Sequence, residues 1–129
     1  MELLKRNIID TLISKDIKFN ILRGNFGLEK ENVRVDGIGN MSKTSHPSIF
    51  GNKLENNYIQ TDFAENQVEM ITPVCGSIDE AYDFLENIHN IVSNNIGDEL
   101  LWPQSAPPNI DGDIPIACYL STSANTSTI

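Results

Sequence analysis

Apolar positions along this chain change period several times, and each change marks an element. Leu4, Ile8, Ile9, Leu12 and Ile13 recur every three or four residues, with Lys5, Arg6 and Asp10 between them. That spacing predicts an amphipathic packing helix over residues 2–15. From Phe19 the period shortens: Phe19, Ile21, Phe26, Leu28, Val33 and Val35 predict strands interrupted at Gly24 and Gly27. Asp36-Gly37 is a turn signal, and Ile38–Met41 behind it completes a hairpin with a loop longer than two residues. Residues 42–57, rich in Ser, Asn, Gly and Pro, read as an irregular excursion. Strand patterns return over 58–61 and 67–72, and Pro73 ends the second.

Ser77 opens the clearest helix. Ser77 and Glu80 form an S-x-x-E capping box. Behind it Ile78, Ala81, Tyr82, Leu85, Ile88, His89 and Val92 make one apolar stripe, and Gly97 is a stop. Asp79, Glu80, Asp83 and Glu86 read as its solvated face. After Leu101-Trp102-Pro103 the pattern is irregular, with Trp102 as a core anchor for the loop at Pro103 and residues 114–117 as a short edge segment. The last ten residues, 120–129, are a polar Ser/Thr tail expected to be disordered.

Charge narrows the function classes. Eighteen acidic residues oppose nine basic ones, for a net charge of -9, against the basic surface that nucleic acid requires. No apolar run approaches the roughly 20 residues that span a bilayer, and the start lacks a signal-peptide core, so a cytoplasmic protein without a membrane partner is expected. Cys75 and Cys118 are far apart and outside any C-x-x-C pattern, and read as reduced thiols.

Candidate chemistry lies in two acidic strand segments, Gly27–Val35 and Thr61–Pro73. Glu29 and Glu31 project from one strand face, about 6.5 to 7 Å apart along the backbone. Glu65, Gln67 and Glu69 share parity in the second segment, and a bulge near Phe63-Ala64 would let Asp62 join them. If the segments are antiparallel neighbours, four or five carboxylates converge, a cluster that repels itself without cations. Oxygen donors without His or Cys suit Mg²⁺ or Mn²⁺ rather than Zn²⁺. For any one of these residues, a solvated sheet face is the alternative. Arg34 is expected to form an ordinary surface ion pair, His46 to be a loop histidine, His89 to be packed or half-buried, and Tyr119 to line a pocket or the core.

Several motifs, in order, resemble bacterial glutamate–cysteine ligases (γ-glutamylcysteine synthetases), either monofunctional or fused to a glutathione synthetase. They are Gly27-Leu28-Glu29-Lys30-Glu31 with Arg34-Val35, His46-Pro47 with Gly51, and Thr61-Asp62-Phe63-Ala64-Glu65. Then come Glu69 with Ile71-Thr72-Pro73, Gly97-Asp98-Glu99, Trp102-Pro103 with Ser105 and Pro107, then Asp113-Ile114, Ala117 and Tyr119. The resemblance covers residues 20–119 and implies an α+β fold, a mostly antiparallel sheet flanked by helices as part of a glutamine-synthetase-like catalytic domain. Residues 1–119 would form a partial N-terminal segment of that domain. The implied reaction uses ATP to phosphorylate the γ-carboxylate of glutamate, and the amine of cysteine then attacks, as the first step of glutathione synthesis. Glu29, Glu31, Asp62 and Glu69 match residues around the family's Mg²⁺ ions, and Phe63 and Tyr119 match positions near the cysteine substrate.

Two departures qualify that implication. The family's ligases are several hundred residues long, and Leu120–Ile129 has no basic residue where a Tyr-Arg-containing stretch is usual. Cys118 stands where Gln is common. The expectation is therefore a truncated product or one part of a split ligase, inactive alone, whose partners are glutamate, cysteine, ATP and the missing remainder. The alternatives are another carboxylate–amine ligase of the superfamily and a non-catalytic metal-binding or interaction fragment.

Overall fold

A computed structural model describes residues 2–15, 23–53 and 55–117. In chain order the elements are α1 (Glu2–Ser14), β1 (Glu29–Val35), a single 3₁₀ turn (Ser48–Phe50), β2 (Ile59–Gln60), β3 (Gln67–Ile71), α2 (Ile78–Asn95) and β4 (Leu100–Leu101). The strands form one sheet in the order β2-β3-β1-β4, with every neighbour antiparallel. This is the α+β arrangement the sequence predicts.

Alternation along the strands sets the two faces. Val68 and Met70 of β3 and Ile59 of β2 point to one side and are buried against Ile88 and Val92 of α2, with Ile96 and Phe50 closing the core. Each apolar side chain of this size contributes about 1.5–3 kcal/mol when fully buried. The intervening residues Gln67, Glu69 and Ile71 point to the opposite, open side.

α2 begins as predicted. Its N-cap Ser77 accepts from the Glu80 N–H at 3.1 Å, while the Glu80 carboxylate reaches one residue further back than a standard box and accepts from the Gly76 N–H at 2.7 Å. The helix stops before Gly97, which adopts φ 66°. The predicted stripe is correct at Ala81, Ile88 and Val92, but Ile78 and Tyr82 are exposed and Phe84 packs on the core in their place. The Asp36–Gly39 hairpin also forms: the Asp36 carboxylate accepts from the N–H groups of Ile38 and Asn40 and from Asn40 Nδ2, and Gly39 takes φ 86°.

Several expectations need correction. Arg34 is no surface residue: it is 1% exposed. Its guanidinium donates to Thr44 Oγ1, to the carbonyls of Thr44, Ser45 and Glu65, and to the Glu99 carboxylate. It is placed on the covered face at the end of β1, where three loops converge with carbonyls to satisfy. Leu100–Leu101, to which the sequence pattern assigns no element, pairs with Val35 and Arg34 as β4. Trp102 is half-buried at the sheet margin rather than a core anchor, although its Nε1–H does fix the following loop through the Ala106 carbonyl at 2.7 Å. α1 forms, but its Ile8, Ile9 and Ile13 remain more than half exposed, so its predicted packing role is not met among the described residues. The edge segment at 114–117 does form, bridging Ala64 through Ile116. Among the described residues no helix is long and apolar enough to cross a membrane. The expectations for Phe19, Ile21, Cys118, Tyr119 and residues 120–129 lie outside the described residues.

Candidate functional site

The open face of the sheet carries the acidic residues. In the β1–β3 register Glu31 lies opposite Glu69, and Glu29 opposite Ile71, so Glu29, Glu31 and Glu69 share one face. On the other side of Glu69, β2 sets Gln60 opposite it. Asp62 follows in the loop that leads to a turn at Glu65-Asn66. The Glu69 carboxyl is pushed above the usual carboxylate range, first by burial and then by the charges of Glu29, Glu31 and Asp62. All four carboxylates singled out in the sequence therefore occupy one electrostatic neighbourhood.

Gln67 ties this face to the turn. Its Nε2 donates to Glu31 Oε1 at 2.5 Å and its Oε1 accepts from the Ala64 N–H at 2.7 Å. Thr61 Oγ1 closes the same turn on the Ala64 carbonyl at 2.6 Å. Parity alone puts Gln67 on the acidic face, but its linking role depends on the turn conformation, which sequence does not reveal.

Glu65 does not join the cluster. It sits in the turn before β3, where strand alternation has not yet begun. Its carboxylate accepts from the His46 N–H at 2.8 Å and pairs with Lys53. His46 packs edge-on against Phe50, with ring centroids 5.7 Å apart, and neither ring nitrogen has a hydrogen-bond partner among the described residues. Burial, then the Arg34 charge, hold it below the ordinary histidine range. Phe63 is 66% exposed and lines an apolar cavity of about 240 Å³ with Val33, Gln67, Ile114 and Ile116. Val33 and Gln67 belong to the open sheet face, so this cavity adjoins the carboxylates.

The donor set on this face is all oxygen, four carboxylates with the Gln60 and Gln67 amides beside them, which is the chemistry of a hard cation. Among the described residues, no three His, Cys, Asp or Glu side chains stand close enough to hold an ion by themselves. The donor type is that of Mg²⁺ or Mn²⁺, but the spacing among the described residues does not by itself form a metal site.

Fold and face together define an α+β unit with one helix-covered sheet side and one open carboxylate side. The sequence pattern of the glutamate-cysteine ligase family matches residues 9–128, and the chain belongs to that family. The glutathione biosynthesis bifunctional protein of Listeria welshimeri is 53% identical over 119 residues, which are 90% of this chain and 15% of that protein. A glutamate–cysteine ligase of Clostridium acetobutylicum is 46% identical over 114 residues, covering 86% of this chain and 24% of that protein. Among solved structures, a bifunctional glutathione synthetase from Pasteurella multocida superposes with a TM-score of 0.75 at 36% identity, over 78% of this chain and 14% of that one. The chain thus spans less than a quarter of the length of these relatives.

Proposed function

We propose that this chain supplies the acidic sheet face of an ATP-dependent ligase that joins the γ-carboxylate of glutamate to the amine of cysteine through a γ-glutamyl phosphate. The observation that carries the proposal is the gathering of carboxylates on one sheet face, with Glu31 directly opposite Glu69 and Glu29 beside them; burial, then the charges of Glu29, Glu31 and Asp62, push the Glu69 carboxyl up. Folding gains nothing from like charges set opposite each other on a sheet. A divalent cation relieves that repulsion and, when bound, neutralises phosphate oxygens. Glu29, Glu31, Asp62 and Glu69 would hold it, with the remaining positions filled by nucleotide phosphate and by the rest of the longer protein. Gln67 orients the Glu31 carboxylate through its side-chain amide. Phe63, exposed beside the carboxylates, and Tyr119 would contact the cysteine substrate. These substrates and the negative charge of the chain fit a cytoplasmic protein that binds neither membrane nor nucleic acid.

The cation can be tested directly on the 129-residue chain. Mn²⁺ should broaden the NMR signals of Glu29, Glu31, Asp62 and Glu69 before any others, and Glu69→Gln should abolish the selective broadening. Broadening centred elsewhere, or unchanged in that variant, would remove the assigned site. In the longer protein, phosphate release dependent on ATP, glutamate and cysteine should fall by at least about 10-fold in the same variant.

A further inference from the structure

A cavity of about 780 Å³ opens on the helix side of the sheet, away from the acidic face. Its walls include Leu100, Leu101, Trp102, Lys30 and His89. Alternation along β1 puts Lys30 on the side opposite Glu29 and Glu31. The Lys30 ammonium donates to His89 Nδ1 at 3.0 Å, and among the described residues no carboxylate reaches ion-pair distance of it. Asp36 lines the same cavity, but its oxygens accept from Ile38, from the Asn40 N–H and from the Asn40 side chain. Glu86 lines a second, smaller cavity together with Lys30 and His89, but forms no ion pair with Lys30. In a chain of net charge -9, a half-buried cation without a counter-ion among the described residues is exceptional.

The wall facing it is rigidly held. Asn32 Nδ2 donates to the Trp102 carbonyl at 2.7 Å, the Trp102 N–H donates to the Val33 carbonyl at 2.8 Å, and the indole N–H is fixed on Ala106. Such a wall loses little freedom on binding. Leu100, 56% exposed, leaves apolar area for an occupant to cover.

We propose that this cavity binds a small organic monocarboxylate, with the carboxylate on Lys30 and an apolar body against Leu100, Leu101 and Trp102. The volume is that of a small-molecule site, and a few polar groups set in an apolar wall are its usual make-up. The single Lys30 ammonium matches the single charge of a carboxylate.

The test uses the 129-residue chain and two probes of like shape, 3-phenylpropionate and the neutral 3-phenylpropionamide. Trp102 is the only tryptophan, so its indole N–H signal reports on the cavity alone. The carboxylate should shift that signal to saturation, and the amide should bind at least tenfold more weakly. Lys30→Met should cost the carboxylate at least tenfold, while Lys30→Arg retains it. No saturable shift, equal binding of the two probes, or equal affinity in Lys30→Met overturns the proposal. So do Trp102 shifts that follow protein concentration without ligand, because they would mean that a second copy of the chain occupies the cavity.

Discussion

Arg34 and Glu31 lie on the same strand, three residues apart, and their charges are handled in opposite ways. Arg34 is enclosed, and oxygens from residues 44, 45, 65 and 99 gather around its guanidinium. Glu31 is left in the open facing Glu69, with one amide donor from Gln67 and no cation in reach among the described residues. Where a charge serves the fold, the chain carries its partners. Where like charges are gathered without them, stability cannot be the reason for the arrangement, and such local conflicts concentrate at functional sites.

Arg34→Met cuts deepest into this contrast. It removes the guanidinium from Glu99 and from three carbonyls, leaving Glu99 only the Ser42 and Thr44 hydroxyls, and loss of one partner from a buried ion pair costs about 3–5 kcal/mol. Urea denaturation of the 129-residue chain should show that loss. Arg34→Lys should recover only part of it, since an ammonium cannot span the Thr44, Ser45, Glu65 and Glu99 oxygens as the planar fork does. A cost below about 1 kcal/mol would return Arg34 to the ordinary surface pair predicted from sequence.

Neighbouring positions on β3 sharpen the contrast between the two faces. Met70 is fully buried against α2, and Met70→Ala should cost about 2–5 kcal/mol in the same urea series. One residue earlier, Glu69→Gln removes a like-charge opposition to Glu31 and should stabilise the cation-free chain by about 0.2–1 kcal/mol. Added Mn²⁺ should reverse that ranking by stabilising only the parent chain. If Glu69→Gln destabilises without Mn²⁺, Glu69 serves the fold and the functional reading of this face fails.

What was legible in the sequence followed from local rules. Helix α2 showed in its cap and its three-and-four spacing, and the acidic face showed in the parity of Glu29, Glu31 and Glu69. The rest depended on distant partners. Nothing near Arg34 in sequence announces the carbonyls of Thr44, Ser45 and Glu65 that make its burial tolerable. β4 is only Leu100–Leu101, too short for a period, and exists because β1 offers it an edge. Glu65 was misread because parity was carried through a turn, where alternation is undefined. The Lys30–His89 contact joins a strand to a helix 59 residues away, and no spacing rule reaches across that interval.

The smallest effect separates two carboxylates by the sign of their pH dependence. Hydrogen bonds from the Asn40 side chain, then from its backbone, hold the Asp36 carboxyl below its ordinary value. A depressed carboxyl adds stability that is present above its unfolded value, about 3.9, and is lost as pH falls through the folded value. Glu69 is displaced the other way, so the folded chain retains its proton longer than the unfolded chain does. Its contribution weakens as pH rises from its unfolded value, about 4.3, through the raised folded one. Melting temperatures taken from pH 3 to 7 should therefore diverge for two isosteric variants. Asp36→Asn should melt below the parent at pH 7 and converge with it towards pH 3, whereas Glu69→Gln should match the parent near pH 3 and melt above it by pH 7. Parallel curves for the two variants would mean that the hairpin carboxylate and the sheet carboxylate feel the same field, and the separation of structural from functional charge on β1 and its neighbours would not hold.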